Sequence, residues 1–114
     1  MFDFQKLEVY QKSKNFCKTI SQLLRSDCID KVTRDQLRRA SFSIMLNIAE
    51  GSSRFGNKDR KNFLVIARGS AFECAAIMDY LLEMKELSTE DFNLYTMLLD
   101  ELSRMLFALI RRLE

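Results

Sequence analysis

The stretch FLVIARGSAFECAAIMDYLLEM, residues 63–84, decides the fold. Phe63, Ala67, Ser70, Cys74, Ile77, Leu81 and Met84 recur at alternating steps of four and three. That is the spacing of a helix with one continuous packing seam. Leu64, Ala71, Ala75, Met78 and Leu82 fill the flank beside it. At about 100° per residue, Phe72 and Val65 fall roughly opposite Phe63. A helix apolar nearly all round is normally covered all round. In a small bundle the outer face should be polar, so Val65 and Phe72 mark a face for another copy of the chain. The alternative is ordinary scattered surface hydrophobes.

Working outward, residues 89–113 repeat the seam at Phe92, Tyr95, Leu99, Leu102, Leu106, Leu109 and Leu113. Ser88 with Asp91 has the form of a capping box. Upstream, Leu37, Ser41, Ile44 and Ile48 mark a helix ending near Gly51. Thr33 is its expected N-cap, with Gln36 three residues later completing a box. The first helix is expected over about residues 5–25, with Val9, Phe16, Ile20 and Leu23 inward and Tyr10, Cys17 and Leu24 alongside. The expected elements are helices at about 5–25, 33–51, 57–85 and 89–113 in one domain, residues 1–114. No segment reads as a strand, and short connections favour antiparallel neighbours. The fold class is all-α, an up-down-up-down antiparallel four-helix bundle.

Composition agrees. The 114 residues hold no proline, three glycines and 47% hydrophobic residues. Few breakers and a large apolar share suit one helical domain with one core. No apolar run reaches the roughly 20 residues that span a bilayer. The N-terminal MFDFQKLEVYQKSKN lacks the apolar core of a signal peptide. A cytoplasmic protein with no membrane partner is expected. Cys17, Cys28 and Cys74 are odd in number and form no C-x-x-C pair, which suits free, mostly buried thiols.

Catalytic and cofactor chemistry find little footing. The loop GSSRFGNK, residues 51–58, has glycines at the P-loop separation. Asn57 stands where lysine belongs, Asp59 follows Lys58, and the loop leaves a helix rather than a strand. Glu50 and Glu73 could lean inward as metal ligands, but the chain has no histidine for a Glu-x-x-His pair. A serine or cysteine nucleophile also lacks a histidine base. The expectation is no enzyme, no metal and no cofactor. Asn47 and Glu50 on the second helix and Ser70 and Glu73 on the third instead suggest a polar network that fixes helix register. A ligand or ion pocket there is the other reading.

The net charge is +2, yet residues 31–70 carry nine basic residues against three acids. Such asymmetry points to an anionic partner. Arg34 and Arg38 share a flank of the second helix, and Lys61 and Arg68 share a face of the third. Arg54, Lys58 and Arg60 lie at the tip between them. This set is the candidate nucleic-acid surface, with Phe55 placed to stack on a base. A merely solvated face is the competing reading for a monomer.

The run QLRRASFSIMLNIAEGSSRFGNKDRKNFLVIARGSAFE, residues 36–73, resembles the bacterial four-helix-bundle proteins of the 23S ribosomal RNA intervening-sequence family. The matching motifs are Gln36, Arg39 and Ala40 of Q-x-x-R-A, then S-I-x-x-N-I-A-E-G from Ser43 to Gly51. F-L-x-I-A-x-G-S-x-x-E follows from Phe63 to Glu73, and F-x-x-L-x-V-Y-Q-K opens the chain from Phe4 to Lys12. The resemblance covers nearly the whole chain. It implies a four-helix bundle, often assembled as a barrel-like homopentamer, with no established catalytic activity. One branch of that family serves diversity-generating retroelements, where a basic surface is thought to bind nucleic acid and a reverse transcriptase. Two functions follow as expectations. One is a homo-oligomer, pentamer favoured, that binds structured RNA or an RNA–DNA intermediate. The other is a protein-interaction scaffold without nucleic-acid contact.

Overall fold

The computed structural model describes all 114 residues. Four helices carry the fold: α1 (Glu8–Thr19), α2 (Lys31–Ser52), α3 (Asn57–Glu83) and α4 (Thr89–Arg112). Short 3-10 turns at Asp3–Lys6 and Leu23–Arg25 flank α1. There is no strand. α3 has 27 residues and so spans about 40 Å at 1.5 Å per residue, close to the 44 Å long axis of the molecule.

Cross-helix contacts give the directions. Ser43 meets Ser70, and Gly51 faces Phe63, so residue numbers rise on α2 as they fall on α3. Lys61 pairs with Glu114, and Arg68 bonds Ser103, so α4 runs against α3. Cys17 bonds Ser41 while Arg38 reaches Leu24, so α1 opposes α2. Lys12 pairs with Glu101, and Val9 shares a cavity with Leu109, which closes the bundle with α1 against α4. The chain is an all-α four-helix bundle whose neighbours alternate in direction.

Twenty hydrophobic residues form one core, including Phe16, Ile44, Ile48, Met78, Leu81 and Leu106. α4 buries Tyr95, Leu99, Leu102 and Leu106, with Phe92, Leu109 and Leu113 packed at its edge. On α3 the buried set is Leu64, Ala67, Ser70, Ala71, Cys74, Met78 and Leu81. The expected seam residues Phe63 and Ile77 are half-buried, and Met84 is exposed. A straight helix drifts by about 20° per heptad against a 3.5-residue repeat. α3 also lies between α2 and α4, so its flank residues Leu64, Ala71 and Met78 enter the core.

Two boundaries differ from the sequence reading. The first helix does not run unbroken to residue 25: α1 stops at Thr19, and a 3-10 turn carries Leu23 and Leu24. The N-cap of α2 is Asp30, not Thr33. Asp30 accepts from the Thr33 amide at 3.1 Å and from its hydroxyl at 2.6 Å. A carboxylate accepts both donors at once, so the cap falls three residues earlier. Ser88 caps α4 by accepting from Asp91 N–H at 3.0 Å. α3 ends on Lys85 at φ 60°, with Glu86 N–H reaching back to Leu81 at 2.9 Å. This is a left-handed C-terminal cap without the usual glycine.

At Gly51 α2 lies close against α3. A Cβ there would stand 3.1 Å from Cβ of Phe63 and 3.5 Å from the Arg60 carbonyl. Hydrogen at this position lets the end of α2 lie against the start of α3.

Candidate functional site

Most of the guanidinium groups between residues 31 and 70 are committed to the bundle itself. Arg38 donates to the Leu24 carbonyl at 3.4 Å. Arg60 donates through Nε to the Arg54 carbonyl at 2.6 Å. Arg68 donates through Nε to the Ser103 carbonyl at 3.3 Å, and its guanidinium lies 4.8 Å from the Phe72 ring and 5.4 Å from Phe107. Arg54 covers the Phe63 ring at 4.7 Å and pairs with Glu50 at 3.3 Å. Arg34 approaches Asp27 at 3.9 Å, and the Nε atoms of Arg34 and Arg54 are buried without a partner. Arginine suits this use, because its planar fork meets carbonyl oxygens and aromatic faces together.

Of the three lysines in this segment two are also paired, Lys31 with Asp35 at 2.9 Å. Lys61 holds Glu114 at 3.4 Å, joining the start of α3 to the chain's last residue. Lys58 is exposed, with neither ion pair nor hydrogen bond. Phe55 beside it is 99% exposed. α3 begins here on Gly56 without a side-chain cap, whereas α2 and α4 have Asp30 and Ser88. The first-turn N–H groups of α3 therefore point outward with no side-chain acceptor, beside the positive end of a 27-residue helix. The α2–α3 tip thus gathers Lys58, Phe55, free amides and the outer edges of Arg54 and Arg60. Asp59 is the acid in that first turn. Arg34, Arg38 and Arg68 lie along the sides of the bundle, away from this tip.

The expected polar network contracts. Asn47 donates to the Ser43 carbonyl at 2.8 Å and to its hydroxyl at 3.0 Å. Ser70 crosses from α3 to Ser43 Oγ at 2.7 Å. Neither Glu50 nor Glu73 joins, which corrects the reading of both. Glu50 pairs with Arg54 on the surface. Glu73 is exposed, beside a groove with Gln36, Ile77 and Tyr80. A carboxylate there keeps its hydration, whereas hydroxyls satisfy one another in a narrow gap. Ser43, outside the expected network, is its centre, bonded to both Asn47 and Ser70. Its position four before Asn47, on the same helical face, was the available sign.

Val65 and Phe72 stand outward at 47% and 55% exposure. Phe107 of α4 adds to the same face, stacked against Arg68. Of the thiols, Cys74 is buried, Cys17 half-buried and Cys28 exposed. Burial pushes the Cys74 thiol up to about 12, with the neighbouring Cys17 and Glu73 adding to the shift. Burial likewise raises Cys17, whose Sγ–H donates to the Ser41 carbonyl at 3.3 Å. These are inert thiols rather than nucleophiles. No helix is long and apolar enough to cross a membrane.

Among solved structures, the chain is similar to a protein of unknown function from the S23 ribosomal protein family of Bacteroides thetaiotaomicron. The two share 24% identity over 90% of this chain and 95% of the other, with a TM-score of 0.86. That likeness shows the four-helix fold. No match was found among curated proteins. Neither that structure's description nor the family model's names a catalytic activity. The model of the 23S rRNA-intervening sequence protein family matches residues 5–108, and the chain belongs to that family.

Proposed function

We propose that this protein is a non-enzymatic homo-oligomer whose copies present their α2–α3 tips to structured RNA. The α2–α3 tip carries the reading. Lys58, Phe55 and the uncapped amides of α3 supply a free cation, a stacking ring and oriented donors within one turn. Phosphate favours a helix N-terminus, and an exposed ring takes a base without sequence preference. One tip makes few contacts, but several copies held together multiply the affinity. The outward face of Val65, Phe72 and Phe107 supplies the means of assembly.

Light scattering tests assembly, and a strict monomer at micromolar concentration defeats it. Titrating labelled structured RNA at several salt concentrations tests the tip. Lys58→Glu with Phe55→Ala should weaken binding at least tenfold and flatten the salt dependence. A second reading, a scaffold that docks another protein, is favoured by one observation. Arg38, Arg60 and Arg68 spend donors on backbone carbonyls rather than holding them free for phosphate. RNA binding without a salt slope, or untouched by the tip variant, would leave the scaffold as the function.

A further inference from the structure

Lys61 and Arg111 come from different helices and converge on one carboxylate. Lys61 Nζ stands 3.4 Å from one oxygen of Glu114, and Arg111 Nε stands 3.5 Å from the other. All three side chains are open to solvent. A close charge-assisted bond measures about 2.7–2.9 Å, so both contacts are loose. Exposed pairs of this kind add little stability, because water and salt compete with them. The cluster therefore does little to hold the bundle together. Arg38, Arg60 and Arg68 differ, since the backbone carbonyls they meet are fixed in the fold and cannot leave them.

The cluster adjoins the tip. Lys61 follows Lys58 by three residues, one turn along the same side of α3. Arg111 lies in the last turn of α4, which the Lys61–Glu114 pair ties to this end of α3. It falls outside residues 31–70, so the charge count of that segment does not include it. Two cations that take one oxygen each form the cradle a phosphodiester needs for its two non-bridging oxygens. The Glu114 carboxylate stands in for those oxygens. Resting on the RNA reading above, we infer that Lys61 and Arg111 bind an RNA phosphate next to the α2–α3 tip, and that Glu114 occupies this site until the phosphate displaces it. A strand already held at Lys58 and the α3 amides presents its next phosphates at high local concentration. One loosely held carboxylate does not withstand that competition.

A labelled RNA hairpin, titrated at several salt concentrations, tests this against four chains. They are wild type, Glu114→Gln, Lys61→Ala with Arg111→Ala, and the variant carrying all three changes. Glu114→Gln should bind roughly threefold tighter at low salt, and its salt slope should steepen by about one to two, because each freed cation neutralises a phosphate. With Lys61 and Arg111 removed, Glu114→Gln should gain nothing. A mere change of net charge would tighten binding equally in both backgrounds, so equal gains would overturn the inference. Glu114→Gln binding no tighter than wild type would overturn it too. In both of those cases wild type still binds through Lys58 and Phe55, and the RNA reading stands. No binding by wild type or by Glu114→Gln would instead defeat the RNA reading, and this site with it.

Discussion

Gly51→Ala places two effects of known sign against each other. Alanine favours a helix over glycine by about 0.5–1 kcal/mol, and near the end of α2 the lower figure applies. Against this, the new methyl stands 3.1 Å from Cβ of Phe63, where apolar carbons prefer about 3.5–4.0 Å. Phe63 cannot turn aside, because the atom struck is fixed to the α3 backbone. Its ring is also pinned beneath Arg54 at 4.7 Å. Relief requires α2 and α3 to separate by about half an ångström where the Arg60–Arg54 bond holds the turn. Overpacking of this kind costs about 1–3 kcal/mol. The net expectation is a loss of about 1 kcal/mol, or roughly 4 °C in Tm for a domain of this size. Thermal and urea melts followed by circular dichroism measure it, with the urea m-value unchanged because both states bury the same surface. A variant as stable as wild type, or more so, would refute the claim that Gly51 is required by close approach.

Ser70→Ala should cost about 1 kcal/mol and couple to Ser43→Ala in a double-mutant cycle, while Glu73→Ala should stay within about 0.5 kcal/mol of wild type. The urea midpoints decide both, and a large Glu73 effect would restore the wider network. Lys85→Gly should stabilise by about 1 kcal/mol, since a side chain at φ 60° is disfavoured and glycine is not; a lower Tm would show that the lysine makes an unseen contribution. For Cys74 the folded thiol titrates near 12 against an ordinary 9.0. Above pH 9 the unfolded chain therefore loses a proton that the folded chain keeps. Stability should fall as pH rises from 9 towards 12, and Cys74→Ala should show a shallower fall over that interval.

The parts of this molecule readable from sequence are those fixed by period. Ala67, Ser70, Cys74 and Leu81 on α3, and the buried run of α4, follow from three- and four-residue spacing because burial selects one side of each helix. Boundaries were less legible where two signals overlapped. Asp30-x-x-Thr33 and Thr33-x-x-Gln36 both suit a helix start, and only the hydrogen bonds choose between them. Apolar residues continue in helical step through Ile20, Leu23 and Leu24, so the 3-10 turn left no mark in the pattern. The basic set shows a different limit. Composition counts charges but does not say which guanidinium lies within reach of a backbone carbonyl. Arg38 and Arg68 found such carbonyls across helix interfaces, and Lys58 did not.

The order of packing along the chain also governs how quickly it folds. α2 to α3 takes four connecting residues and α3 to α4 five, so most helix pairs form between sequence neighbours. Bundles with such local contacts cross their barrier in microseconds to milliseconds. The chain has no proline, which removes isomerisation as a source of slow refolding phases. Only α1 with α4 joins the two ends. During synthesis α1 can dock on α2 as soon as α2 emerges, and its contact with α4 is the last to form.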